Sequence, residues 1–168
     1  MVLKEKIQKD LTKAIKTKKE LASSVLRMLS AAILNKEKEK RYKTSREKPG
    51  LKEKELLEES QLADEEIVDV ISTELKKRKE ASLDYEKGNR KELADKEKKE
   101  AEILQEYLPE QMSEEEIKKL AKIAVEKTGA KEQKDMGKVM AALMPFVKGK
   151  ADGSLVSKVV KNLLVLQK

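Results

Sequence analysis

The residues of this chain best equipped for chemistry lie in one short stretch, Lys148-Gly149-Lys150-Ala151-Asp152-Gly153. Glycine lets a backbone approach a ligand closely, and lysine brings a full positive charge. A helix should follow, burying Leu155, Val156, Val159, Val160, Leu163 and Leu164. The N–H groups that open a helix carry partial positive charge, which favours an anion and above all phosphate. Lys138 and Lys158 stand on either side and extend the basic character. The candidate anion contacts are therefore Lys138, Lys148, Gly149, Lys150, Gly153 and Lys158. A plainer reading stays open, a helix-to-helix connection in which Asp152 caps the second helix and the lysines are solvated. The stretch lacks the spacing of a P-loop.

Other chemistry is largely excluded by what is missing. The chain has no His and no Cys. Ser-His-Asp and Cys-His mechanisms, HExxH zinc sites and disulfides are therefore impossible. Asp95, Glu97, Glu100, Glu102 and Glu106 are too scattered to form a catalytic acid pair and read as a solvated face. No catalytic residue, metal-ligand set or cofactor is expected.

The elements that must position the basic turn are helices. Charged residues make up 42% of the 168, with 3 Pro, 6 Gly and four aromatics. Such a composition favours long helices around an aliphatic core. Leu3, Ile7, Leu11, Ala14 and Ile15 share one face of a helix over 2–18. Leu21, Val25, Met28, Leu29, Ala32 and Ile33 do so over 20–40. From about 43 to 60 the apolar residues thin out and Thr44, Ser45, Pro49 and Gly50 appear, which predicts a mobile basic loop. Ile67, Val70, Ile71 and Leu75 mark a helix over 64–87, stopped by Gly88-Asn89. Leu93, Ala94, Ala101, Leu104 and Leu108 mark another over 90–107.

Pro109 then breaks the chain, and Ser113-x-x-Glu116 reads as a capping box opening a helix that Gly129 closes. Met136, Val139, Met140, Leu143 and Met144 share the face of the next helix, with Asp135 placed to cap it and Pro145 to end or kink it. The fold expected is all-α with two lobes: residues 1–108 as an N-terminal helical bundle, and 109–168 as a small three-helix lobe carrying the basic turn. No apolar run is long enough to span a membrane and the N-terminus lacks a signal-peptide core, so the default location is cytoplasmic.

The segments YLPEQ and DMGKVMAALMPFVKGKADGSLV resemble the GatB/YqeY domain proteins, closest to the stand-alone YqeY-like branch. SVLRMLSAAILN, STELKKRKEA and DYEKGNRKEL fit the same family, so the resemblance covers nearly the whole chain. The matching motif positions are Met136-Gly137-Lys138-Val139-Met140, Met144-Pro145 and Lys148 through Gly153. The insertion at 43–60 is longer than in shorter members, and Phe146 stands where a Lys is common. The resemblance implies an all-helical protein related to the tail of the GatB subunit of glutamine-dependent tRNA amidotransferase, a carbon–nitrogen ligase whose tail contacts tRNA. The catalytic part of that enzyme has no counterpart here.

Two functions follow as expectations. One is a tRNA-binding accessory module of translation, free-standing or docking on an amidotransferase or aminoacyl-tRNA synthetase. With four aromatics, it would hold RNA by backbone and shape rather than by base stacking. The other is an adaptor whose C-terminal lobe docks on a translation-related protein without touching RNA.

Overall fold

In the computed structural model, which describes residues 2–165, the chain is all-α. Eight α-helices and one short 3-10 turn occur among the described residues, with no strand. None of these helices is long and apolar enough to cross a membrane. The chain divides into two compact units, Met1–Tyr107 and Leu108–Lys168.

The N-terminal unit contains α1 (Leu3–Lys16), α2 (Glu20–Glu47), α3 (Glu53–Glu59), α4 (Asp64–Lys87) and α5 (Lys91–Gln105). Its core is the aliphatic stripe of each long helix: Ile7 and Leu11 of α1, Val25, Leu26, Leu29 and Ile33 of α2, Ile67, Ile71 and Leu75 of α4, Leu104 of α5. Burying each such side chain stabilises the unit by about 1.5–3 kcal/mol. Three members of the expected stripes lie outside: Ile15 is 47%, Met28 50% and Leu93 40% exposed, while Leu26 is buried. The core-facing arc of α2 is centred one position away from Met28, between Leu29 and Leu26. The entry to α1 is fixed from α4, because the Leu3 N–H donates to the Asp64 carboxylate at 3.0 Å. Between α4 and α5 the left-handed residue is Asn89, with φ 55°, and not Gly88. Asparagine tolerates that region because its short polar side chain can hydrogen-bond locally.

The expected loop at 43–60 is largely helical. α2 runs on to Glu47, and α3 follows after a short break. Lys, Glu and Arg are good helix formers, so charge alone does not interrupt α2. The breakers Thr44 and Ser45 turn their hydroxyls back onto the Lys40 and Tyr42 carbonyls. Pro49 is what stops the helix, since the residue before proline is driven from helical geometry, and Lys48 has φ −129° and ψ 70°.

The chain then folds back onto α2. Lys40 donates to the Gln61 carbonyl at 2.9 Å and to Glu66 at 2.7 Å. The buried Glu37 carboxylate accepts from Lys4 at 2.5 Å and from the Leu62 N–H at 3.3 Å. α3 itself has no buried residue, and Lys48 pairs with Glu59 at the surface. Exposed pairs contribute little, about 0–1 kcal/mol, so this hairpin is the least secured part of the unit. Limited trypsin digestion should make its first internal cut after Lys52, since Pro49 protects Lys48. A first cut within 134–161 would contradict this.

A second departure concerns the acids of α5. Glu100 belongs to no solvated face. It is 6% exposed, with its Oε2 3.1 Å from Arg78 Nε on α4. Arg78 is 7% exposed and reaches the Met28 sulfur with Nη2 at 3.5 Å. Its Nε is an ion-pair neighbour of Glu100 without the alignment of a hydrogen bond.

The C-terminal unit contains α6 (Glu114–Thr128), the 3-10 turn (Gln133–Asp135), α7 (Met136–Val147) and α8 (Gly153–Val165). Its core joins Ile117, Ala121 and Val125 of α6, Val139, Leu143 and Val147 of α7, and Val156, Val160 and Leu164 of α8. α6 opens on the capping box. The Ser113 hydroxyl accepts from the Glu116 N–H at 3.3 Å, and the Ser113 N–H donates to the Glu116 carboxylate at 2.8 Å. The Ser113 N–H first, and then the Ser113 hydroxyl, which donates to the same carboxylate at 2.8 Å, hold the Glu116 carboxyl below its ordinary value. Gly129 closes the helix with φ 62°.

Two expectations for α7 are corrected. Asp135 does not cap it. The 3-10 turn places the carboxylate so that it accepts from the Lys131 and Glu132 N–H groups upstream, at 3.3 and 3.4 Å. Pro145 does not end it either. The helix continues to Val147, because only the last turn loses a donor and the Lys148 N–H still reaches the Met144 carbonyl at 3.0 Å. Met144, expected on the buried face, is exposed, and Val147 takes the core position one turn after Leu143.

Candidate nucleic-acid interface

The basic turn is built from the end of α7. Lys148 leaves helical geometry at ψ 123°, and Gly149 follows with φ 72°. That left-handed value costs an L-residue with a side chain about 1–2 kcal/mol, which glycine avoids. The Lys150 and Ala151 N–H groups both return to the Val147 carbonyl, at 2.9 and 3.0 Å. These bonds close the turn tightly over a buried valine.

On the far side, Asp152 starts α8. Its carboxylate accepts from the Ser154 N–H at 2.8 Å and from the Ser154 hydroxyl, and its carbonyl accepts the first helical hydrogen bond, from Val156. The helix opening that the sequence offered as an anion seat thus carries a carboxylate of its own. Any anion drawn to this turn meets the lysine side chains ahead of the α8 N-terminus.

The turn is also pinned from the segment before α6. Gln111 donates through Nε2 to the Gly149 carbonyl at 2.9 Å and to the Pro109 carbonyl at 2.8 Å. The Met112 N–H donates to the Lys150 carbonyl at 2.7 Å. Two carbonyls of the turn are therefore tied to residues 111 and 112, while the side chains of Lys148 and Lys150 are exposed. The pinning of the turn by Gln111 and Met112 is what sequence reading missed. Gln111 is the last residue of YLPEQ, which carries the family resemblance, and Met112 follows it, but their contact with residues 149 and 150 spans 38 positions.

Of the candidate contacts, Lys148, Gly149, Lys150 and Gly153 share this turn. Lys158 lies five residues into α8, about 7.5 Å along its axis from Gly153. It is near Glu114, whose carboxyl is held low by Lys118 first and by Lys158 to a lesser degree. Lys138 sits at the opposite end of α7, about 15 Å along the axis from Lys148. There it pairs with Asp135 at 3.1 Å and holds that carboxyl below its ordinary value. The structure therefore gathers four of the candidates and leaves Lys138 apart. From Leu108 on, twelve lysines stand against eight acidic residues. Among the described residues no cluster of acidic side chains could hold a metal ion.

The sequence matches the family model described as Yqey-like protein over residues 4–164. The chain belongs to the YqeY-like family. Comparison with curated proteins finds no match. The family assignment covers most of both units of this YqeY-like chain.

The special geometry of that turn can be tested directly. Gly149→Ala should lower the stability of this YqeY-like protein by about 1–2 kcal/mol, the cost of a side chain in the left-handed region. Thermal melts would show it. An unchanged melting temperature would mean that the turn relaxes to another conformation at no cost.

Proposed function

We propose that this YqeY-like protein is a tRNA-binding accessory module that holds phosphates with Lys148 and Lys150. One observation supports the reading above the others. The turn carrying both lysines is fixed by six backbone and side-chain hydrogen bonds within the C-terminal unit, to Val147, Gln111, Met112 and Ser154. A cation on a fixed frame loses less freedom on binding than one on a mobile loop. Lys158 and the general lysine excess of the unit add longer-range attraction. With a carboxylate at the start of α8, the lysine side chains carry the contact and recognition is of backbone charge and shape.

The chain works by binding in this reading, as the GatB tail does within its enzyme, and delivers or steadies tRNA for an amidotransferase or an aminoacyl-tRNA synthetase. Titrating mixed tRNA into the full chain at about 50 mM salt, where phosphate contacts are strong, tests it. Saturable binding that weakens steeply as salt is raised is the expected result. A chain that ignores tRNA at low salt but retains a translation protein on pull-down would overturn it in favour of the adaptor.

A further inference from the structure

The N-terminal unit carries a second charged surface that the basic turn does not explain. Lys6, Lys9, Lys13 and Lys16 follow one another on α1 at intervals of three, four and three residues. At 3.6 residues per turn they fall within about 80° of arc and extend about 15 Å along the helix. They line a shallow surface depression together with Asp10. The opposite face of α1 is locked into the core by Ile7, Leu11 and Ala14, and its N-terminal end is held by Asp64 on Leu3 and by Glu37 on Lys4. The stripe is therefore displayed in a fixed direction.

Its charge is uncompensated. Several other lysines of this unit sit against carboxylates, as Lys36 does with Glu39, Lys77 with Glu74 and Lys98 with Glu86. Among the described residues no ion pair involves Lys6, Lys9, Lys13 or Lys16. Asp10, the one acid in the depression, accepts from the Tyr107 hydroxyl at 3.0 Å, and Lys6 lies over the Tyr107 ring at 5.1 Å. Burial first, and then that carboxylate, push the Tyr107 hydroxyl above its ordinary value, so it stays a donor to Asp10. Like charges three and four apart on a helix repel, by about 0.2–0.5 kcal/mol a pair. A row of them is a local cost that a polyanion would remove.

We infer that the α1 lysine stripe is a second nucleic-acid contact, which grips the phosphate backbone of RNA. A nucleic-acid strand carries a charge every few ångströms, which matches lysines rising about 4.5–6 Å apart. A membrane surface fits less well. An interfacial helix needs a free apolar face beside its basic one, and the apolar face of α1 is spent on the core. The inference rests on the reading of the chain as an RNA binder, at a site separate from the basic turn.

The test uses the full chain and mixed tRNA. Lys9→Glu with Lys13→Glu and Lys16→Glu should weaken binding about tenfold or more near 50 mM salt and make the salt dependence shallower by about two log units per log unit. The melting temperature should change little, since all three side chains are exposed. Should the reversed protein fold poorly, the same three positions changed to Gln keep the test, because the salt slope counts lost contacts. Unchanged affinity and slope overturn the inference. Loss on reversal at 148 and 150 alone also overturns it and leaves the turn standing. Loss at 9, 13 and 16 alone supports the stripe and removes the turn. Wild-type protein that ignores tRNA but binds vesicles of one part phosphatidylserine to about four of phosphatidylcholine assigns the stripe to membranes instead, against the inference.

Discussion

Glu100→Ala should cost the N-terminal unit about 3–5 kcal/mol, because it leaves the buried Arg78 guanidinium without its counter-charge. Both side chains are under a tenth exposed, and the other polar contact of Arg78 is a thioether sulfur. For a unit of this size the melting temperature should drop by roughly 10–20 °C. Arg78→Met should cost less, since Lys96 stands 3.9 Å from Glu100 and can serve the stranded carboxylate. Replacing both, Arg78→Met with Glu100→Leu, should restore most of the loss, as buried pairs exchanged for apolar groups of similar size often are neutral or better. Denaturant unfolding of the three variants checks the order. A Glu100→Ala protein within about 1 kcal/mol of wild type would mean that water reaches the pair.

Lys148→Glu with Lys150→Glu should reduce tRNA affinity about tenfold or more at low salt, through two lost phosphate contacts and two new repulsions. Stability should change little, within about 0.5 kcal/mol per site, since both side chains are exposed. The same reversals at Lys122 and Lys131 are the control. Lys118 is a poor one, because it shares Glu114 with Lys158. If reversal at the control positions weakens binding equally, attraction is diffuse and the turn has no special part.

Much of the fold was legible because aliphatic periodicity is a strong signal in a chain this polar. The span of α4, the capping box at Ser113 and the αL residue at Gly129 all follow from local rules. Errors came where a residue has two local meanings. Thr44 and Ser45 break helices when they bond their neighbours in a turn, yet here they bond back within α2. Pro145 lies within reach of the helix end, where its missing donor costs least. Glu100 looked like one acid among several because its partner is 22 positions away on another helix. For the candidate site, the lysines and glycines of the turn could be picked out from type and spacing. The clamp from Gln111 and Met112 could not, because it depends on the packing of α6 against α7 and α8.

The most direct test of phosphate recognition by the basic turn is the slope of log affinity against log salt, for tRNA with wild type and with the Lys148→Glu, Lys150→Glu protein. Two phosphate contacts should make the wild-type slope steeper by about 1.4–1.8. Equal slopes, or a wild-type chain with no affinity for tRNA at low salt, would contradict it.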